Sequence, residues 1–106
     1  MSAERELVQT KRRRGIMLKL IRQGHEAQFS RMDDFEMFGM MQELGTSMGR
    51  DQVLTMLQDL QVLGYLTFKS GMNGITGRTE ICEIELTAKG IGAVVRRKSD
   101  DDVLID

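Results

Sequence analysis

The chain has 106 residues, of which 41% are hydrophobic and 29% charged, with nine Met, no Pro, a single Cys and a formal net charge of −1. This composition suits one soluble globular domain with one core, and it excludes a disordered polymer and a disulfide scaffold. No stretch approaches the ~18 consecutive apolar residues of a membrane span. MSAERELVQTKRRRG at the start lacks the apolar centre and cleavage site of a secretory signal, so a cytoplasmic protein of a bacterium or phage is expected.

The charge is unevenly placed. SDDDVLID at the end holds four Asp and no basic residue, leaving 15 basic against 12 acidic side chains, a formal +3, on the rest. A mildly basic body is compatible with nucleic-acid binding, although a strong binder usually carries more.

Residues 3–23 read as a helix. Ser2 suits an N-cap, Glu4 and Glu6 suit the positive end of the dipole, and Leu7, Val8, Ile16, Met17 and Leu20 recur at roughly helical spacing. Gly24 is expected to stop it as a C′ residue. The KRRR run at 11–14 takes up most of one turn, as a solvated face or as a phosphate-neutralising patch. HEAQFS at 25–30 has room for a short strand around Gln28 and Phe29. Ser30 followed by Asp33 resembles a capping box. Met32, Phe35, Phe38, Met41 and Leu44 then fall on one helical face, and Gly45 follows as a stop. Met37 and Met40 fall off that stripe, as core fillers or as a surface that meets a partner. Thr46 and Ser47 sit where a third helix would be capped, after a turn of about three residues. Leu54, Leu57, Leu60 and Leu63 step by threes along it, and Gly64 closes it.

From Tyr65 the period changes to two. Leu66 and Phe68 alternate with Tyr65, Thr67 and Lys69; then Cys82, Ile84 and Leu86 alternate with Ile81, Glu83 and Glu85. The glycine-rich loop at 70–77 joins them into a hairpin whose apolar faces, Cys82 included, are expected to pack on the helices. Thr87 caps a last helix over 88–97. Residues 1–98 therefore read as a single domain and 99–106 as an acidic, mobile tail.

The segments LTMLQDLQVLGYLTF at 54–68, the loop at 70–77 and EIELTAKG at 83–90 resemble the winged helix-turn-helix family, similar in pattern to small ArsR-, MarR- and PadR-like bacterial or phage-encoded regulators. The resemblance implies a mostly helical α+β fold: a three-helix core, a β-hairpin wing and a short C-terminal helix. It further implies sequence-specific binding of double-stranded DNA by a transcriptional regulator, with a recognition helix at about 47–63 in the major groove and a wing at 69–79. It supplies a homodimer formed through helices one and four.

Mapped by position, the DNA-binding candidates are Thr46 and Ser47 for a phosphate, Arg50, Gln52 and Thr55 for base edges, with Gly49 and Gln58 beside them, and Lys69, Asn73, Thr76 and Arg78 on the wing. Arg and Gln are chosen because they can make paired hydrogen bonds to guanine and adenine. The plainer reading is a solvated face, since Asp51 and Asp59 would repel phosphates from the same helix. The alternative function is a winged-helix protein–protein interaction module with no direct DNA binding.

No metal, cofactor or enzymatic site is expected. Cys82 reads as a small buried hydrophobe and His25 as a solvated loop residue, and no pair has ligand spacing. The glycines at 71, 74 and 77 lie between two strands, outside the context of a nucleotide loop.

Overall fold

The computed structural model describes residues 3–26, 32–96 and 101–105. Helix α1 spans Ala3–Glu26, α2 Asp34–Glu43 and α3 Arg50–Val62; strands β1 (Leu66–Met72) and β2 (Thr79–Leu86) follow, then α4 (Ala88–Val95). The two strands form one antiparallel hairpin. The arrangement is a mostly helical α+β winged helix, as the sequence leads one to expect. The strand expected around Gln28 and Phe29 and the Ser30 cap lie outside the described residues, as do the side chain of His25 and residues 97–100.

Three helix boundaries differ from the sequence reading. Gly24 does not end α1, which runs on to Glu26. It is buried there, and a Cβ at position 24 would lie 2.8 Å from Met32 Cε, so the glycine makes room for a neighbour. At α2 the cap is Asp33, whose Oδ1 accepts from Glu36 N at 2.7 Å. Helix α3 begins at Arg50, three residues later than expected, because Gly49 is its N-cap and donates its N–H to Gln52 Oε1 at 2.8 Å. Thr46 instead closes the preceding helix. Its hydroxyl donates to Met41 O at 2.9 Å, just after Gly45 with φ +75°. The link between α2 and α3 is therefore six residues, 44–49.

The core also selects differently along α2. Met37 is fully buried, whereas Phe35 and Leu44 are 54% and 56% exposed. Met40 packs against the core. The methionine surface expected around Met37 and Met40 is thus not there. Met37 and Met41 join Met17, Leu18, Val53 and Leu57 in the core, where flexible Met side chains fill irregular space. Gly39 sits exposed inside α2 with nothing within 4 Å of a Cβ built on it. Gly39→Ala should raise stability by about 0.5–1 kcal/mol, read from the urea midpoint. An unchanged midpoint would mean that the residue is held by something other than helix propensity.

In the hairpin, Thr67 pairs with Glu85 but Lys69 pairs with Cys82, so β2 carries one extra residue opposite Phe68. Glu83 takes up the bulge with φ 53°. The bulge reverses the alternation: Ile81 and Ile84 both point into the core, and Cys82 is exposed rather than buried. The wing is also longer than expected, since Ser70, Gly71 and Met72 pair with Ile81, Glu80 and Thr79.

The C-terminal segment 101–105 is docked, not a free tail. Val103 is fully buried and Ile105 nearly so. Leu104 N donates to Lys11 O at 3.1 Å, and Arg14 Nη1 donates to Asp102 O at 3.1 Å. This strap lies so close to α1 that a Cβ at Gly15 would meet Leu104 O at 2.1 Å.

Candidate nucleic-acid interface

Helix α3 buries Val53, Met56, Leu57 and Leu60 and leaves Asp51, Gln52, Thr55, Gln58 and Asp59 exposed. The result is a polar ridge standing on an apolar base. Its C-terminal end is fixed by a junction that joins the segments 54–68 and 83–90. Gly64, with φ +88°, turns the chain out of α3. Thr87 Oγ1 then donates to Gly64 O at 2.5 Å, and Thr87 N donates to Tyr65 O at 3.0 Å. Lys89 donates to Leu63 O at 2.8 Å, lies over the Tyr65 ring at 4.3 Å, and so satisfies a carbonyl at the negative end of α3. Lys89 was not singled out in the sequence; a Lys on the far side of the hairpin from the Gly64-Tyr65 step gives no signal until the hairpin brings the two ends together.

The expected site residues fall into two groups. Gln52, Thr55 and Gln58 stand on the ridge, and Arg78 is exposed at the root of β2. Arg50, Asp51, Leu54, Thr55, Gln58, Arg78 and Thr79 line one groove of about 420 Å³ between α3 and the wing. On the opposite flank, Thr10, Arg13, Gln52, Thr55 and Asp59 line a second groove of about 320 Å³ between α1 and α3. The sequence reading left the run at 11–14 open between a solvated face and a phosphate-neutralising patch, and it did not single out Thr10. The periodicity of α1 puts Thr10 and Arg13 on the side of buried Met17, but which neighbour that side meets is a tertiary fact.

The second group is occupied inside the protein. Arg50 Nη2 donates to Asp34 Oδ2 at 3.1 Å, and its guanidinium lies over the Phe35 ring at 3.8 Å. Asp34 is only 1% exposed, so this is a buried ion pair tying the start of α3 to the start of α2. Lys69 pairs with Glu83 at 2.9 Å across the bulge. Asn73 builds the wing turn: its Oδ1 accepts from Ile75 N at 2.8 Å and Thr76 N at 3.1 Å, and its Nδ2 donates to Glu80 at 2.8 Å. Thr76 Oγ1 accepts from Arg78 N at 3.3 Å. Ser47 is exposed in the α2–α3 link. With Asp34 on Arg50 and Glu83 on Lys69, the candidates Arg50, Lys69 and Arg78 do not form a continuous positive strip.

Among the described residues no group of three or more His, Cys, Asp or Glu is placed to hold a metal ion, and no helix is long and apolar enough to cross a membrane.

The fold defined by these elements is a winged helix. It is similar to the crystal structure of Bacillus subtilis PadR in complex with operator DNA, with a TM-score of 0.55 and 20% identity over 89% of this chain and 52% of that one. The chain thus spans about half the length of that protein. No family model matches it, and neither does any curated protein.

Proposed function

We propose that this chain binds double-stranded DNA as a cytoplasmic transcriptional regulator, with α3 in the major groove and the hairpin as its wing. The supporting observation is the exposed polar ridge Gln52–Thr55–Gln58, which stands beside Arg78 on a firmly anchored helix. PadR, of the same fold, has been solved on operator DNA. In this reading Gln52 and Thr55 meet base edges. The Gln52 carbonyl already accepts from Gly49 N, so its amide NH2 end is the one offered to a base. Ser47 and Arg78 face phosphates, whereas Thr46 spends both its hydroxyl and its N–H on Met41 O. Arg50, Lys69 and Asn73 position the elements that carry the contacts. Leu7 and Val8 on α1 and Ile91 and Val95 on α4 are exposed apolar residues on two helices packed together, which suits a homodimer reading two half-sites one turn apart.

One observation favours the second reading, a protein-interaction module. Arg50 and Lys69 are neutralised by carboxylates, and Asp51 and Asp59 share the ridge.

Selection from a random duplex library, followed by fluorescence anisotropy at two salt concentrations, separates the two. DNA binding predicts affinity that falls steeply with salt, two chains per selected site, and a roughly tenfold loss of preference for that site in Gln52→Ala, the scale of one paired base contact. No salt-dependent binding would sink the DNA reading in favour of a protein partner.

A further inference from the structure

We propose, resting on the DNA reading above, that α1 provides a second phosphate contact through Arg13, with Thr10 beside it, opposite the wing-root contact at Arg78. The run at 11–14 is not one patch, because at 100° per residue its members point in different directions. The Arg14 guanidinium donates to Asp102 O of the C-terminal strap, whose Leu104 N donates to the Lys11 backbone carbonyl. Arg12 is exposed. Arg13, with Thr10, lines the groove beside α3 that also holds Gln52, Thr55 and Asp59.

The ridge of α3 is therefore flanked by one arginine-bearing groove on each side, Arg13 on α1 and Arg78 on the wing. DNA has the matching geometry. A helix with its side chains is about 10–12 Å across and fills a major groove about 12 Å wide, so the two phosphate strands lie against whatever flanks the helix. A guanidinium on each flank meets one strand each and sets the depth and tilt of the helix between them. Asp51 and Asp59 line the α1-side groove with Arg13, so two carboxylates face one guanidinium there. The contact is accordingly one local pairing and not a broad basic surface.

Arg13 and Arg14 are neighbours of identical chemistry with different assignments, one to phosphate and one to the strap. The test measures salt-dependent anisotropy and thermal stability together for Arg13→Ala, Arg13→Lys and Arg14→Ala in the full chain, with Gln52→Ala alongside. Arg13→Ala should weaken selected and random duplexes alike and lower the slope of log affinity against log salt by about one, with an unchanged melting temperature. Arg13→Lys should restore the slope. Arg14→Ala should lower the melting temperature and keep the wild-type slope. If Arg13→Ala keeps the wild-type slope while Gln52→Ala loses discrimination, the α1 contact is wrong and DNA reading by α3 stands. An equal loss of slope in both arginine variants would also overturn the assignment, since it describes a diffuse patch. Wild-type protein without salt-dependent binding would overturn both readings.

Discussion

Gly90→Ala is expected to be among the most destabilising single-atom-scale changes in the chain. A Cβ at this position would fall 2.1 Å from Tyr65 O and 3.1 Å from Tyr65 C, where no real Cβ can sit. The obstacle is backbone, so no rotamer change relieves it. Nor is that backbone free to move: Tyr65 O accepts from Thr87 N at 3.0 Å, and Tyr65 N donates to Leu60 O at 3.0 Å. Either α4 must lift from the junction or the Leu-Gly-Tyr step must shift and take the start of the wing with it. Overpacking ordinarily costs about 1–3 kcal/mol, and here the inability of either side to yield puts the expected loss at or above about 3 kcal/mol. For a domain of ordinary stability, about 5–15 kcal/mol, that is a large fraction. Urea unfolding should show a midpoint lowered by more than about 1 M. A midpoint within about 0.2 M of wild type would mean that α4 does not pack on Tyr65 as described. The contrast with Gly39→Ala is informative because both glycines lie inside helices, and only the surroundings of the added methyl differ.

The junction also explains what could be read from the sequence. Gly64 and Thr87 were legible because each carries a local chemical requirement: left-handed backbone at a helix end, and a side-chain oxygen for a helix start. The leucine steps of α3 were legible because Leu57 and Leu60 are buried and Leu54 and Leu63 pack against the same core, which Val53 and Met56 complete. The start of α3 was not. Thr46 and Ser47 have the chemistry of an N-cap, and Gly49 has only backbone, yet Thr46 is used to close α2. Two adjacent helices compete for one hydroxyl, and local preference cannot rank them. The orientation of β2 was lost for a different reason. A single bulge at Glu83 inverts the pattern, and a period-two reading has no way to register one extra residue. Arg13, Arg50 and the docked strap depend on contacts between segments far apart in sequence. Val103 and Ile105 were passed over because the acidic residues around them dominated the composition of the tail.

Arg50 carries the second large prediction, and it bears on how DNA-binding experiments must be designed. The residue has the side chain most suited to guanine and stands at the first position of α3. In the folded chain its guanidinium is bonded to Asp34 and stacked on Phe35. Arg50→Ala would leave the Asp34 carboxylate buried without its cation. Removing one partner of a buried pair typically costs about 3–5 kcal/mol. Asp34 lies in the first turn of α2, where the helix dipole favours a negative charge and returns a fraction of that loss. A destabilisation of about 3 kcal/mol is therefore expected, measured by urea unfolding. Loss of DNA binding in this variant would then be ambiguous, since a displaced α3 start and a missing base contact produce the same titration. The double variant Asp34→Leu with Arg50→Met separates them. Replacing a buried pair by apolar side chains of similar size is often close to neutral, so the double variant should recover most of the stability lost in Arg50→Ala. If Arg50 positions α3, the recovered protein should bind its selected duplex with near wild-type preference at every base. If Arg50 reads a base, the double variant should remain stable yet lose discrimination at a single position, by roughly tenfold or more. The buried Asp34 and the occupied guanidinium favour the first outcome, and recovery of stability without recovery of that single-base preference would reverse the assignment.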